Sequence, residues 1–267
     1  MSILAAVFIL AGAWIYSVGR EATVQNNMNP YVNTRGMSAA VPLLQIPWNG
    51  LGQELVAAGV LDTARYSIAP ELLGTETLAI THENADATLM LLWGFGLANK
   101  NQILEKGPMM DPRYGGADNF ASTGGWTISR GDSMSHYSAH EWVALTAAQQ
   151  ALVERVAKTI YRPCCDNSTY FPDCNHGMAM LGLLELLAAN GATEDELYRA
   201  ALAANRLWFP DQYATIEKFL GQRGLAFTTA DPKQILGFGY SSATGYQSVL
   251  SQVRTLPLPQ GNTSCGV

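Results

Sequence analysis

The sequence predicts a mainly α protein: an N-terminal transmembrane helix followed by a compact multi-helix domain with long loops. Three observations lead there. Residues 2–19 form an uncharged apolar run closed by Arg20, just above the lower limit of about 17 residues for crossing a bilayer core. From Trp48 onward apolar residues recur at helical spacing, and no convincing run alternates apolar with polar. Two capping boxes, Thr146-Ala-Ala-Gln149 and Thr193-Glu-Asp-Glu196, announce helix starts. In such a box the hydroxyl and the Gln or Glu three residues on satisfy each other's orphan N–H groups.

The first element, residues 1–20, reads as an anchor or uncleaved signal. Trp14 and Tyr16 suit a membrane interface. The small residues Ala11, Gly12 and Ala13 have the spacing of a cleavage site, but no Lys or Arg precedes the run, and cleavage there leaves a very short apolar core. Arg20 and Glu21 nearly cancel as orientation signals, so the export-like start alone places the main domain outside the cytoplasm. Residues 21–47 read as a linker, polar and Asn-rich with Pro30, Pro42 and Pro47. A helical extracytoplasmic domain spans 48–254 and a flexible Pro- and Gly-rich tail spans 255–267.

Within the domain, Leu51, Leu55 and Val56 share a helical face and Gly59 is a natural stop. A second helix covers 81–97, capped by Thr81 or Asn84. Residues 107–130 form a long loop rich in Gly, Pro and Asp, which predicts solvent-facing backbone, low local stability and a candidate partner-contacting surface. The Thr146 box opens a helix to about Tyr161, where Pro163 forbids continuation. Further helices cover about 176–189, 193–207 and 210–220, with shorter ones near 232–236 and 244–253.

Composition narrows the function classes. Hydrophobic residues make up 48 % of the 267, which excludes general disorder. With 16 basic and 22 acidic side chains the net charge is -6, so no nucleic-acid partner is expected. The partners the sequence allows are the membrane, through the N-terminal helix, and another protein.

The chemistry concentrates in one segment, PCCDNSTYFPDCNHG. Cys164, Cys165 and Cys174 fall within 11 residues, His176 follows two later, and Cys265 sits near the end of the chain. The thiols lie in an inter-helix loop and the first turn after it, with Asp173 or Asn175 as the expected N-cap. Three readings compete. Thiolates and an imidazole form a tetrahedral site for a soft ion, Cu or Zn; adjacent cysteines share one ion only if the backbone bends sharply between them. Four cysteines also form a disulfide framework with three possible pairings, giving a binding or scaffold module without metal. A low-pKa Cys174 at a helix start supports thiol–disulfide exchange. A domain over 200 residues folds without staples, and three cysteines in one loop crosslink little chain, which favours metal binding over a purely structural role. No acid–base or nucleophile partner set accompanies the cluster, so catalysis is not expected and no catalytic residue is assigned.

Pro163, Cys164, Cys165, Cys174 and His176 resemble the Cys-rich segment of exported bacterial PCYCGC-motif proteins, in which a Pro-Cys start leads to a downstream His and Cys before a helix. Here the C-x-C pair is missing and His176 follows the last cysteine. The P-C-C…D-C-N-H-G pattern with a terminal C-G-V also resembles uncharacterised membrane-anchored bacterial proteins. Both resemblances imply export or anchoring, and neither implies an activity.

Weaker signals complete the reading. His136 and His140 share a face if helical, a geometry open to Zn or Cu, but Glu141 is misplaced for a metalloprotease motif. The methionines read mostly as core. Thr123-Gly-Gly-Trp126 lacks the Lys of a phosphate loop, and no G-x-S-x-G elbow is present.

Overall fold

Two helices that are apolar on nearly every face form the centre of the fold, as expected for helices buried all round. The computed structural model describes residues 32–33 and 43–255. Elements in chain order are β1 (Val32–Asn33), β2 (Leu43–Pro47), α1 (Leu51–Ala58), α2 (Pro70–Leu73), β3 (Thr77–Ile80), α3 (Ala85–Ala98), α4 (Gln102–Lys106), α5 (Ala147–Ala157), α6 (Asn175–Ala189), α7 (Glu194–Trp208), α8 (Pro210–Gly221), α9 (Pro232–Leu236), α10 (Phe238–Ser241) and α11 (Ala243–Thr255).

The central pair is α3 and α6, which pack against each other more extensively than any other elements. Gly96 and Gly182 make that possible: a Cβ on Gly96 would run into the Met178 carbonyl, and one on Gly182 would crowd the Leu92 carbonyl. Gly96→Ala is therefore expected to lower stability by about 2–3 kcal/mol, the scale of overpacking in a dense core. Chemical denaturation of the variant checks this; an unchanged midpoint would mean the helices sit further apart. Around the pair lie α5, α7 and β2. Both capping boxes form as the sequence predicts, at Thr146/Gln149 and Thr193/Glu196. Gly59 ends α1 in the left-handed conformation at φ 84°.

Three expectations are corrected. First, the mainly helical chain also carries a small antiparallel sheet, ordered β1-β2-β3. Strand β2 lies within the segment read as linker, yet Leu44 and Ile46 are fully buried opposite Ile80 and Leu78. Only Leu44 and Ile46 alternate inward about Gln45, too short a period to stand out in sequence. Second, residues 107–130 keep about half of their side chains exposed but are anchored to the core at several points. Three short 3-10 turns organise their first half, Trp126 donates to the Val60 carbonyl at 2.7 Å, and Trp93 donates to the Ser122 carbonyl at 2.7 Å. Buried indoles satisfied by loop carbonyls convert a Gly-rich loop into a wall of the core. Third, α3 starts at Ala85, because residues 77–80 belong to β3 and Asn84 spends its side chain bridging Thr81 N and the Ala79 carbonyl.

Among the described residues no helix is long and apolar enough to cross a membrane. The apolar run 2–19, the tail and Cys265 lie outside the described residues.

Candidate metal centre

The segment between α5 and α6 is held on all sides. Thr169 N bonds the Ile160 carbonyl and Tyr170 N the Ala157 carbonyl, which folds the loop back on α5. Ala243 N donates to the Cys165 carbonyl at 3.0 Å, and Thr244 binds Asp166 through its N (2.8 Å) and Oγ1 (2.6 Å). The start of α11 is thus pinned to the loop. Ser122 N bonds the Asp173 carbonyl, so the wall formed by residues 107–130 abuts it too.

Adjacent cysteines need a sharp bend to face one ion, and the chain supplies it. Cys165 N donates to the Arg162 carbonyl at 3.3 Å, closing a four-residue turn with Pro163 at its second position, where a fixed φ favours such turns. Cys174 follows as the N-cap of α6, its carbonyl accepting from Met178 N. The expected caps are otherwise employed: Asp173 pairs with Arg162 and Asn167, and Asn175 Oδ1 accepts from His176 N.

The three ligand sulfurs lie within 4.8 Å of one another, a grouping able to hold a metal ion. Cys164 Sγ is 3.6 Å and Cys165 Sγ 4.0 Å from Cys174 Sγ. Two thiolates on one tetrahedral zinc, with Zn–S about 2.3 Å, sit about 3.8 Å apart. All three cysteines are free thiols. Hydrogen bonds from Cys164 and Cys165 hold the Cys174 thiol well below its usual range against the cost of burial, aided by His176 and Arg162. Cys164 is correspondingly pushed up by its Cys165 and Cys174 neighbours and by burial.

Sequence reasoning missed Arg162. Its side chain is 1 % exposed and runs beneath the cluster, donating from Nε to Cys174 Sγ at 3.0 Å, from Nη1 to the Asn167 carbonyl at 2.9 Å and from Nη2 to Asp173 Oδ1 at 2.9 Å. Burial opposes its charge, but the Cys174 and Cys165 sulfurs more than offset that. Gly177, in the first turn of α6, makes the room; a Cβ there would strike the guanidinium. The only sequence hint is a lone Arg before Pro-Cys-Cys.

His176 lies beside the set without joining it. Its ring packs on Phe209 with centroids 4.4 Å apart, and its Nδ1 is buried without a partner. His136 and His140 meet, but on a 3-10 turn and the stretch after it instead of a helix face. His136 Nδ1 is 3.3 Å from His140 Nε2, and the His140 ring stacks on Trp142. Among the described residues no third His, Cys, Asp or Glu joins them. Met109, Met178 and Met180 are buried in the core.

No family model, curated protein or solved structure matches this chain.

Proposed function

We propose that this protein binds a soft metal ion, Zn or Cu, through Cys164, Cys165 and Cys174, on a helical domain tethered to a membrane by residues 2–19 and held outside the cytoplasm. The observation that carries it is the convergence of three thiols from two different turns at sulfur separations of 3.6 and 4.0 Å, close to those of thiolates sharing one ion. The Arg162 guanidinium supports the reading, because it offsets part of the negative charge of several thiolates around a divalent or monovalent cation. Its Nε–H on Cys174 also orients that ligand from outside the coordination shell.

The test is metal content and free-thiol count on the full chain purified without reductant. One ion per chain is expected, with Cys174→Ser losing it. His176→Ala is expected to retain the stoichiometry and weaken affinity by about 10- to 100-fold, the range for groups that position ligands. No bound metal together with intramolecular disulfides would overturn the proposal. A second reading, thiol–disulfide exchange at Cys174, draws on the same hydrogen bond from Arg162, since a cation beside a thiolate favours the nucleophilic form. It predicts reduction of a dithiol-reactive disulfide by metal-free protein, abolished in Cys174→Ser.

A further inference from the structure

We propose that His136 and His140 form a second metal site, separate from the cysteine cluster, which binds Cu(I) in linear two-coordination between their facing ring nitrogens. It stands independently of the cysteine reading above.

The two rings meet end to end. Their centroids are 5.6 Å apart, while His136 Nδ1 and His140 Nε2 are 3.3 Å apart. The difference is close to the two centroid-to-nitrogen distances added together, so both nitrogens lie on the line joining the centroids. An imidazole lone pair points directly away from its ring centroid, so the two lone pairs share one axis. A proton held on that axis makes a hydrogen bond, long against the about 2.9–3.0 Å typical of N–H donors. A two-coordinate cation uses the same axis. Imidazole suits copper, and linear two-coordination by neutral nitrogens is a geometry of monovalent, closed-shell Cu(I). Tetrahedral Zn(II) needs lone pairs that converge at an angle, which this pair does not offer. Linear coordination also needs no third donor, and among the described residues no third His, Cys, Asp or Glu joins the pair.

The fold fixes the backbone of both ligands and leaves one ring room to adjust. His136 is 8 % exposed at the end of a 3-10 turn. Ser138 then takes a left-handed φ of 50°, which turns the chain back onto the end of α3. There Ser138 N donates to the Leu97 carbonyl, His140 N to the Ala98 carbonyl, and Lys100 N to the His140 carbonyl. His140 itself is half-buried, so an ion enters from its side. Two in-line metal–nitrogen bonds of about 2 Å each require the nitrogens to part by roughly 0.7 Å. The His140 ring lies flat on Trp142, with centroids 4.4 Å apart and planes 3° from parallel. Its lone pair lies in the ring plane, so the slide that opens the gap runs along the Trp142 face and keeps an offset stack. Binding exchanges the shared proton for the ion. In the neutral pair that proton moves to the far nitrogen of its own ring, and both ligands remain neutral.

Thiolates are the stronger ligands for Cu(I), so the cysteine cluster fills first and the histidine pair takes the ion added beyond it. The experiment is an anaerobic titration of the reduced full chain with Cu(I), read by ring-nitrogen NMR of its four histidines. Copper beyond the first equivalent is expected to shift His136 Nδ1 and His140 Nε2 together and to leave His82 unmoved. His140→Ala is expected to weaken that second uptake more than about 100-fold, beyond the range for groups outside a coordination shell. Copper taken up while both rings keep their metal-free shifts would overturn the proposal and leave the cysteine reading intact. Zn(II) moving the same nitrogens at lower concentration than Cu(I) would overturn the linear geometry. Rings that shift already with the first equivalent uphold this site and count against the cysteine one.

Discussion

Replacing Glu185 with Gln is expected to stabilise the protein at neutral pH and to remove most of its loss of stability between about pH 4.5 and 8. Glu185 lies in the central helix α6, fully buried. Asn99 Nδ2 donates to its Oε2 at 2.6 Å, while Oε1 is buried with no partner. Burial pushes its carboxyl up to about 8, with the Asn99 and Asn101 amides only partly opposing. The folded state therefore holds a proton that the unfolded chain has released. Stability is full below the ordinary carboxyl range, falls as pH rises from about 4.5 to about 8, and levels off above that. The full loss corresponds to about 5 kcal/mol, of which about 3 kcal/mol is already incurred at pH 7. A glutamine keeps the acceptor for Asn99 and carries no charge, so its unfolding free energy stays nearly flat over the same interval. Urea unfolding of both proteins between pH 5 and 9 measures the difference. Parallel curves would show that Glu185 is ionised or hydrated in the folded state.

Arg162→Leu is the second change with a large effect, in the opposite direction. The guanidinium serves a sulfur, a carboxylate and backbone carbonyls at once, from a position almost fully buried. Its removal leaves the Asp173 carboxylate and the Cys174 sulfur without their shared cation, and strands the loop carbonyls of Asn167 and Phe171. Breaking a buried ion pair from one side costs about 3–5 kcal/mol. Because the loop is also pinned through Tyr170, Cys165 and Asp166, the damage is expected to centre on residues 162–177. Hydrogen exchange should show lost protection there and in the first turn of α6, with α3 and α7 nearly unaffected. Arg162→Lys, which keeps the charge but not the fork of donors, should recover only part of the loss. Uniform destabilisation without a local focus would mean that Arg162 acts only as core volume.

Much of the helical framework was legible in the residues. Capping boxes at Thr146 and Thr193, the stop at Gly59 and the apolar periodicity of 51–58 and 194–208 are local signals, and neighbours in sequence are enough to satisfy them. The cysteine cluster was legible for the same reason: three thiols within 11 residues and a Pro at the turn are properties of one segment. What only the tertiary structure decided is everything that depends on a partner far along the chain. Strand β2 acquires its identity from β3, more than 30 residues on, and residues 107–130 become a wall because Trp93 and Trp126 need acceptors. The placement of Arg162 follows from Gly177 and Asp173, and the raised carboxyl pKa of Glu185 from its burial in the core. Polar and charged side chains carry little periodic signal, and their chemistry is set by desolvation and by what faces them. Both are fixed only when distant segments pack together.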